Sequence, residues 1–516
     1  LPFNALQKRI GRKTVPKKLL AEAPVILLAY DLLEDAGQDL RQKPFSARRA
    51  RLVVANHALV MMQAALGGLD DATQPTRYVF DEGHHLFDAA DSAFSARLSG
   101  METADLRRWL LGAEERGRSR ARGLKARMED LAELSEDLGP TLLKVLQAAR
   151  VLPAPAWHQR LYDNAPQGPA ETFLAGVRQQ VYARAQGTDA PYSIECKPDE
   201  PVPGLVDAAA TLGAGLEQLL QPLMKLGKAL EKLLDDEADT LDSTARARIE
   251  GLARSLDRRA VVPVQGWLAM VRTVGHDTPP AFVDWFAVER IDGRDIDVGM
   301  SRHHLDPMRP FADAVLGGAH GAVVTSATLR DGSGDAEADW QAAEDRTGAT
   351  HMPEPAHRVA LASPFAHAAR TRVLVVTDVR KDALDQVAAA YRALFRAAGG
   401  GALGLFTAIS RLRGVHRRIA PALEQEGLPL LAQHVDAMDP ATLVSVFRAE
   451  EDACLLGTDA MRDGVDVPGR SLRLIVFDRV PWPRPDILHR ARREAFGKKR
   501  HQAVRTQLRL KLHYSW

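Results

Sequence analysis

Short apolar runs that end on small or acidic polar residues recur along this chain, and they limit the fold more than any other feature. Arg77–Phe80 leads straight into Asp81-Glu82-Gly83-His84-His85, and Gly321–Leu329 reads GAVVTSATL. After Ala360 come Arg372–Asp378 (RVLVVTD), Ala402–Ala408 (ALGLFTA), Cys454–Ala460 (CLLGTDA) and Leu472–Asp478 (LRLIVFD), with a helix-type pattern over Ala383–Ala398. Buried-strand runs alternating with helices predict a parallel sheet covered by helices, an α/β fold. Ligands of such sheets bind beyond the carboxyl ends of the strands. The polar residues that close each run are therefore the first candidates for chemistry.

The texture differs between about 93 and 290. Leu, Ala, Arg and Glu dominate there, and Leu124–Leu138 and Leu216–Leu234 repeat apolar residues with the helical period. Pro and Gly cluster at 152–168 and 187–204. This predicts a large, mostly helical insert with an irregular middle. A length of 516 residues corresponds to about three to four domains. Hydrophobic residues at 46% and charged residues at 26% fit a globular chain rather than a disordered one.

No apolar run reaches the ~18 residues of a membrane span, and the first residues, LPFNALQKRIGRK, lack the apolar core of a secretory signal. No membrane partner and a cytoplasmic location are expected. The chain starts at Leu rather than Met, which suggests processing or truncation. Two cysteines, Cys196 and Cys454, fit a reducing compartment and exclude a disulfide scaffold. They also exclude a four-cysteine zinc site or iron–sulfur cluster built from this chain. His84-His85 and His303-His304 lack partners at metal-ligand spacing.

Asp81 and Glu82 suit two jobs, because adjacent side chains on an extended strand cannot face one point. Asp81 could hold Mg²⁺ through water, and Glu82 could polarise the attacking water in nucleotide hydrolysis. The same dipeptide also serves as an ordinary solvated turn. Ser326 and Thr328 follow a buried strand and could relay between a nucleotide and a bound strand; they too could be plain turn residues. In Leu455–Gly469, Gly457, Gly464 and Gly469 allow close backbone approach beside Thr458, Asp459 and Asp466.

Taken in order, these segments resemble the DinG/XPD-like family of superfamily 2 DNA helicases over roughly residues 53–511. Asn56-His57-Ala58-Leu59 is similar to the segment upstream of the family's DEAH box, and Asp81-Glu82-Gly83-His84 stands at that box with Gly in place of Ala. Thr325–Leu329 looks like motif III, Leu403–Leu412 like motif IV and Gly457–Gly469 like motif V; Leu472–Phe496 continues the pattern. The resemblance implies two RecA-like P-loop NTPase-type parallel-sheet domains, the first incomplete, with a large helical insert. The boundaries it implies are 53–92 and 300–350 for the first RecA-like domain, 93–299 for the arch-like insert and 360–516 for the second.

It further implies ATP and Mg²⁺ as cofactors, single-stranded or forked DNA as partner, and 5′→3′ translocation driven by ATP hydrolysis. Asp81, Glu82, His84, Ser326, Thr328, Gly464 and Asp466 are then the catalytic candidates, with Asp81 the metal residue. Asn56, Thr407, Thr458, Arg490, Arg492 and Arg493 are the DNA-binding candidates.

Two parts of the family's ATP site have no counterpart. A glycine-rich P-loop is missing, and Gly11-Arg12-Lys13-Thr14 lacks its first glycine and its Gly-Lys-Thr contiguity. The arginine-bearing motif VI would begin where the chain runs out, after Arg505–Lys511. Low ATPase activity is therefore expected of residues 1–516. Residues 1–52 resemble instead a piece of the adenylation domain of ATP-dependent DNA ligases, around Val25–Glu34 (VILLAYDLLE) and the turn that follows, and the abrupt change near Leu52–Val53 suggests a fusion or a chimeric gene. A Lys-x-Asp-Gly ligase nucleophile is absent, so a ligase fragment is the weaker enzymatic alternative.

Lys+Arg 68 against Asp+Glu 67 gives a net charge of +1, so any nucleic-acid surface must be local. Arg470–Trp516 concentrates 13 Lys/Arg against 3 acids, interleaved with Trp482 and Tyr514. Such a face suits tracking along a single-stranded backbone. A non-catalytic single-stranded-DNA-binding module is the remaining alternative.

Overall fold

The computed structural model describes residues 34–35, 38–39, 54–65, 67, 76–114, 123–129, 131, 137–185, 192–237, 241–291, 293–363, 366–458, 461, 467, 469–479 and 485–496. The chain forms two compact units, residues 1–325 and 326–516. Among residues 1–52, read as ligase-like, only the short hairpin of β1 (Glu34–Asp35) and β2 (Gln38–Asp39) lies within the described residues.

In the first unit, helix α1 (His57–Ala65) precedes β3 (Arg77–Phe80), and α2 (Leu86–Ala93) follows it. The chain then enters the insert through β4 (Ala96–Ser99). Its helices include Gly100–Leu111, Leu138–Ala148, α3 (Gly168–Arg184), the long α4 (Leu205–Asp236), Ser243–Leu256 and α5 (Val262–Val271). Leu212, Leu216, Leu219, Leu223, Leu226 and Leu230 fall on one stripe of α4 and are all essentially sealed from solvent. This is the apolar periodicity that the sequence displays, buried against Phe173, Val145 and Trp267 in the largest core of the molecule.

The insert also holds a sheet that helical periodicity does not announce. Strands β5 (Ile194–Cys196), β6 (Phe282–Ile291) and β7 (Arg294–His304) join β4 in an antiparallel sheet of order β4-β7-β6-β5. Along β6 exposure alternates, the period-2 signature of a strand with one covered face. Gly293, at φ 78, lies in the tight turn to β7. β7 crosses the boundary set at 299/300, because its far half continues to pair with β6 and with β4. The chain leaves through α6 (Met308–Phe311) and reaches β8 (Gly321–Val324) beside β3.

Entry and exit of the insert are thus neighbouring strands. Gly299 sits there because a Cβ at that position would stand 2.3 Å from the Leu98 carbonyl oxygen. The helix α2 that follows the acidic turn is tied to the exit strand by Asp91 Oδ1 and His303 Nδ1, 2.8 Å apart.

The second unit starts at Ser326, inside the segment 300–350 assigned to the first RecA-like domain. Residues 329–358 gather around α7 (Ala336–Thr347): Arg346 reaches Asp331 at 2.7 Å and Arg358 reaches Glu344 at 2.7 Å. α8 (Leu384–Ala398), β9 (Ala402–Phe406), α9 (Ile409–Gln425), β10 (Leu430–Ala432), α10 (Pro440–Ala449), β11 (Cys454–Thr458), β12 (Leu474–Phe477) and α11 (Ile487–Ala495) complete it. The four strands form a parallel sheet of order β10-β11-β9-β12. Val387, Tyr391, Phe395, Leu412, Val415 and Ile419 pack on one face, and Leu443, Phe447 and Leu472 on the other.

The expected strand Arg372–Asp378 does not form. Residues 371–377 carry no ladder bonds, and Val373, Leu374 and Val375 are 87%, 75% and 81% exposed. A strand needs a neighbour to hold its backbone groups, and none among the described residues pairs with this stretch. No helix of the described residues is long and apolar enough to cross a membrane.

Candidate active site and strand-contact edge

β3 and β8 run parallel in register, with Phe80 opposite Val324, so both leave the sheet at one carboxyl edge. Two further bonds extend the ladder past the strands. The Thr325 N–H donates to the Phe80 carbonyl at 2.9 Å, and the Gly83 N–H donates to the Thr325 carbonyl at 2.9 Å. The Asp81–Gly83 turn is thereby clamped to the start of the Thr325–Leu329 segment. At Gly83 a Cβ would stand 2.2 Å from Val324 Cγ1. Glycine in place of alanine matches that close approach, since a β-branched valine has little freedom to turn away.

Within the turn, Asp81 and Glu82 are both exposed. Asp81 Oδ1 accepts the Glu82 N–H at 3.0 Å. Glu82 takes a left-handed backbone, φ 51 and ψ 45, which costs a side-chain-bearing residue about 1–3 kcal/mol and recurs where function needs the geometry. Its carboxylate oxygen lies 3.2 Å from Nδ1 of His84, whose side chain is 6% exposed against 49% for Glu82. His84 thus anchors an exposed carboxylate from below, and its ring lies 3.9 Å from that of His85.

The core beneath is small. The Phe80 ring meets Phe311 edge-on at 5.7 Å and stacks on Tyr78 at 5.6 Å, while Met61, Leu86 and Ala90 are fully buried. His57 belongs to the site although the sequence pattern points only to its neighbour Asn56. Its ring lies 6.1 Å from Phe80. Burial pushes its imidazole below the ordinary value, partly opposed by a hydrogen bond to the Asp81 backbone. Asn56, a DNA-binding candidate, acts locally. Its Oδ1 accepts the Leu59 N–H at 2.8 Å and so caps α1.

Ser326 Oγ accepts the Thr328 N–H at 3.3 Å and lies 3.3 Å from the Thr328 hydroxyl. The two catalytic candidates therefore form one short turn.

The carboxyl edge of the second sheet gathers other candidates. Thr407 follows β9 and is exposed. Thr458 ends β11, and both its N–H and its hydroxyl donate to Oε1 of Gln433, at 2.9 and 2.8 Å. Gln433 follows β10, is 6% exposed, and donates its own N–H to the Leu456 carbonyl at 2.9 Å. No motif in the sequence singles it out; an amide residue directly after an apolar strand run is the available signal. Asp478, directly after β12, takes a bidentate pair from Arg411 at 2.6 and 2.7 Å, which raises the Arg411 guanidinium pKa further.

The three arginines of α11 do not act as one face. Arg490 and Arg493 are exposed, but Arg492 is only 7% exposed and points inward. Gly464 and Asp466 lie outside the described residues, as does the chain beyond Phe496.

Among the described residues no cluster of three or more His, Cys, Asp or Glu converges on a point. A protein-built metal cage is therefore not what Asp81 belongs to. A single carboxylate acting with water and phosphate oxygens is the usual protein share of a Mg²⁺ site. Both cysteines are buried and free, and burial pushes each thiol up to about 12.

A parallel sheet with its polar candidates in a row along the carboxyl edge is the arrangement of an α/β ligand-binding domain, and residues 391–512 match the Helicase C-terminal domain family. Bacillus subtilis "3'-5' exonuclease DinG" is 23% identical over 479 residues, covering 88% of this chain and 46% of that protein. Mycobacterium tuberculosis "ATP-dependent helicase DinG" is 36% identical over 171 residues, 32% of this chain and 24% of that protein. By these matches the chain is similar to the DinG/XPD-like helicases. It spans less than half the length of these curated relatives. A solved XPD helicase aligns over 85% of this chain and 60% of its own, with 14% identity and a TM-score of 0.37.

Proposed function

We propose that this chain carries motor parts of an ATP-dependent DNA helicase that moves 5′→3′ on single-stranded or forked DNA, in the cytoplasm. One observation carries the reading: the register of β3 and β8 brings the Asp81-Glu82 turn and Thr325 to one sheet edge, joined by the Gly83–Thr325 bond.

The residues present fit part of an ATP–Mg²⁺ site. Bound ATP would supply the phosphoanhydride bond whose cleavage drives movement, and Mg²⁺ would neutralise phosphate charge. Asp81 is exposed, with only Oδ1 engaged among the described residues, and would hold the metal through water. Glu82, fixed by its left-handed backbone and by His84, would orient and deprotonate the attacking water. Ser326 and Thr328, locked in one turn, would link that edge to the bound strand. Thr407, Thr458, Arg490 and Arg493 would serve the strand itself. No glycine-rich Lys loop occurs in residues 1–516, so the phosphate cradle has no candidate here.

The test sets residues 1–516 beside a version extended at both ends with the matching segments of a DinG relative. DNA-stimulated ATP hydrolysis is expected from the extended version only. Glu82→Gln should lower its kcat by about a hundredfold or more, the usual share of a positioned base, with single-strand binding retained. Unchanged kcat in Glu82→Gln would remove Glu82 from the reaction. Turnover by residues 1–516 alone that vanishes in Glu82→Gln would show that the phosphate cradle lies within them.

A further inference from the structure

We propose that Gln433 contacts the backbone phosphates of single-stranded DNA through its side-chain amide, and that Thr458 positions it rather than touching the strand. The inference rests on the DNA-translocating reading above and adds a residue to it.

The chemistry of the pair fixes the orientation of the carboxamide. The Thr458 N–H can only donate, and it points at the side-chain oxygen of Gln433 at 2.9 Å; the Thr458 hydroxyl donates to the same oxygen at 2.8 Å. An amide turned the other way would set donor against donor. Nε2 therefore faces away from Thr458, and among the described residues it meets no acceptor. Gln433 is nevertheless 6% exposed. Nε2 is not among the buried side-chain atoms that lack a partner, so the little surface Gln433 shows includes this donor, held by the fixed amide where an acceptor can reach it.

The surroundings hold it rigid. Ala432 donates its N–H to Asp436 Oδ2 at 2.7 Å, and Arg413 grips the His434 carbonyl at 3.1 and 3.2 Å. His434 itself is left-handed at φ 63, which makes the turn a sharp one. Strand order β10-β11-β9 sets Gln433, Thr458 and Thr407 at or just past the carboxyl ends of successive strands, the strands themselves lying about 4.8 Å apart.

Thr458 is thereby changed in role. A phosphate oxygen accepts and cannot donate, yet both donors of Thr458 are already engaged by Gln433. The donor left to meet a phosphate is Gln433 Nε2. Uncharged amide donors are common partners of the nucleic-acid backbone, and they carry no sequence preference.

The experiment titrates a fluorescent oligothymidine with the full chain between about 50 and 200 mM salt, the range over which phosphate contacts show their salt dependence. Gln433→Glu keeps an acceptor for both Thr458 donors and replaces the outward amide with an anion. Val435→Glu places the same charge two residues on, at a side chain that is 41% exposed, and leaves the amide intact. Gln433→Glu should weaken binding about tenfold or more, the loss expected when a donor to a charged group is replaced, without lowering the melting temperature. Val435→Glu should cost less than about a third of that in fold terms. Thr458→Ser should bind like the parent. Thr458→Val should weaken binding in the parent and cost nothing further in the Gln433→Glu background.

If the parent binds and the two glutamate variants lose equally, Gln433 makes no contact and the proposal falls alone. Additive losses for Gln433→Glu and Thr458→Val would return the contact to Thr458. A parent with no salt-dependent binding would overturn the DNA reading together with this one.

Discussion

The two parallel sheets present polar residues at their carboxyl edges on very different foundations. The second has four strands, with every residue of β9 buried and helices on both faces. Among the described residues the first has two strands and one covered face: Phe80 is 3% exposed, whereas Val79 and Val323, opposite each other in register, are 74% and 58% exposed. If the edge of the first sheet is catalytic as proposed, placement of its turns does not require a large sheet beneath it. In the first sheet the placement comes from a few named bonds, chiefly Gly83–Thr325 and Glu82–His84. The stability of that unit resides mainly in the insert core.

The largest expected effect separates the sheets directly. Phe406 is 2% exposed at the centre of the second sheet, and Phe406→Ala should cost about 3–5 kcal/mol. Val79→Thr, on the open face of the first, should stay within about 0.5 kcal/mol. Urea unfolding of the full chain, followed by a probe in each unit, measures both. Comparable costs would show that the open face of the first sheet is covered in solution, and the contrast would fail.

A second effect, of intermediate size, tests whether the first unit depends on its insert. Glu171 is fully buried and accepts from Arg160 at 2.8 Å, from Gln167 N–H at 2.9 Å and from Ala154 N–H at 3.2 Å. Burial alone would raise its carboxyl pKa, but Arg160 and the two backbone donors outweigh it and hold the value below 4.5. A carboxyl depressed in the folded state stabilises the fold above its unfolded pKa, and loses that contribution as pH falls through the folded one. The first unit should therefore weaken below about pH 4.5, and Glu171→Gln should flatten that acid limb while lowering stability at pH 7. Thermal melts across pH 3–7 check this. An acid limb unchanged in Glu171→Gln would place the pH dependence elsewhere.

The parallel elements are legible in the sequence because their strands are continuous apolar runs, and α4 because Leu recurs every turn. The antiparallel sheet of the insert is not, since β6 mixes Asp284, Glu289 and Arg290 into its alternation, and those charges are matched by partners on other elements. Asp284 is satisfied by Arg302, and Asp295 in β7 by Tyr182, Arg178 and Arg290. Arg372–Asp378 shows the opposite failure: an apolar run with no strand beside it stays open. At the proposed site, the candidate turn can be read from Asp81-Glu82 and the segment before Leu329. Roles set by a neighbour in space cannot: His57 under Asp81, Gln433 on Thr458 and the inward turn of Arg492 all depend on pairings that no local pattern encodes.

The smallest effect decides what Asn56 does at the weaker sheet. The resemblance assigns it to DNA, while the geometry gives its Oδ1 to the Leu59 N–H at 2.8 Å. Asn56→Ala should then cost about 1 kcal/mol, the usual loss of a helix cap. Because α1 packs against α2 and carries His57 at its start, the Leu59 amide should exchange faster with solvent and the Asp81 turn should loosen with it. Asn56→Ser retains a capping oxygen and should restore both the exchange protection and the stability. If Asn56→Ser regains stability yet still weakens single-strand binding, the side-chain amide touches DNA as well as capping the helix. If it regains both, the cap is the whole role, and the first sheet depends on one more local bond where the second relies on its core.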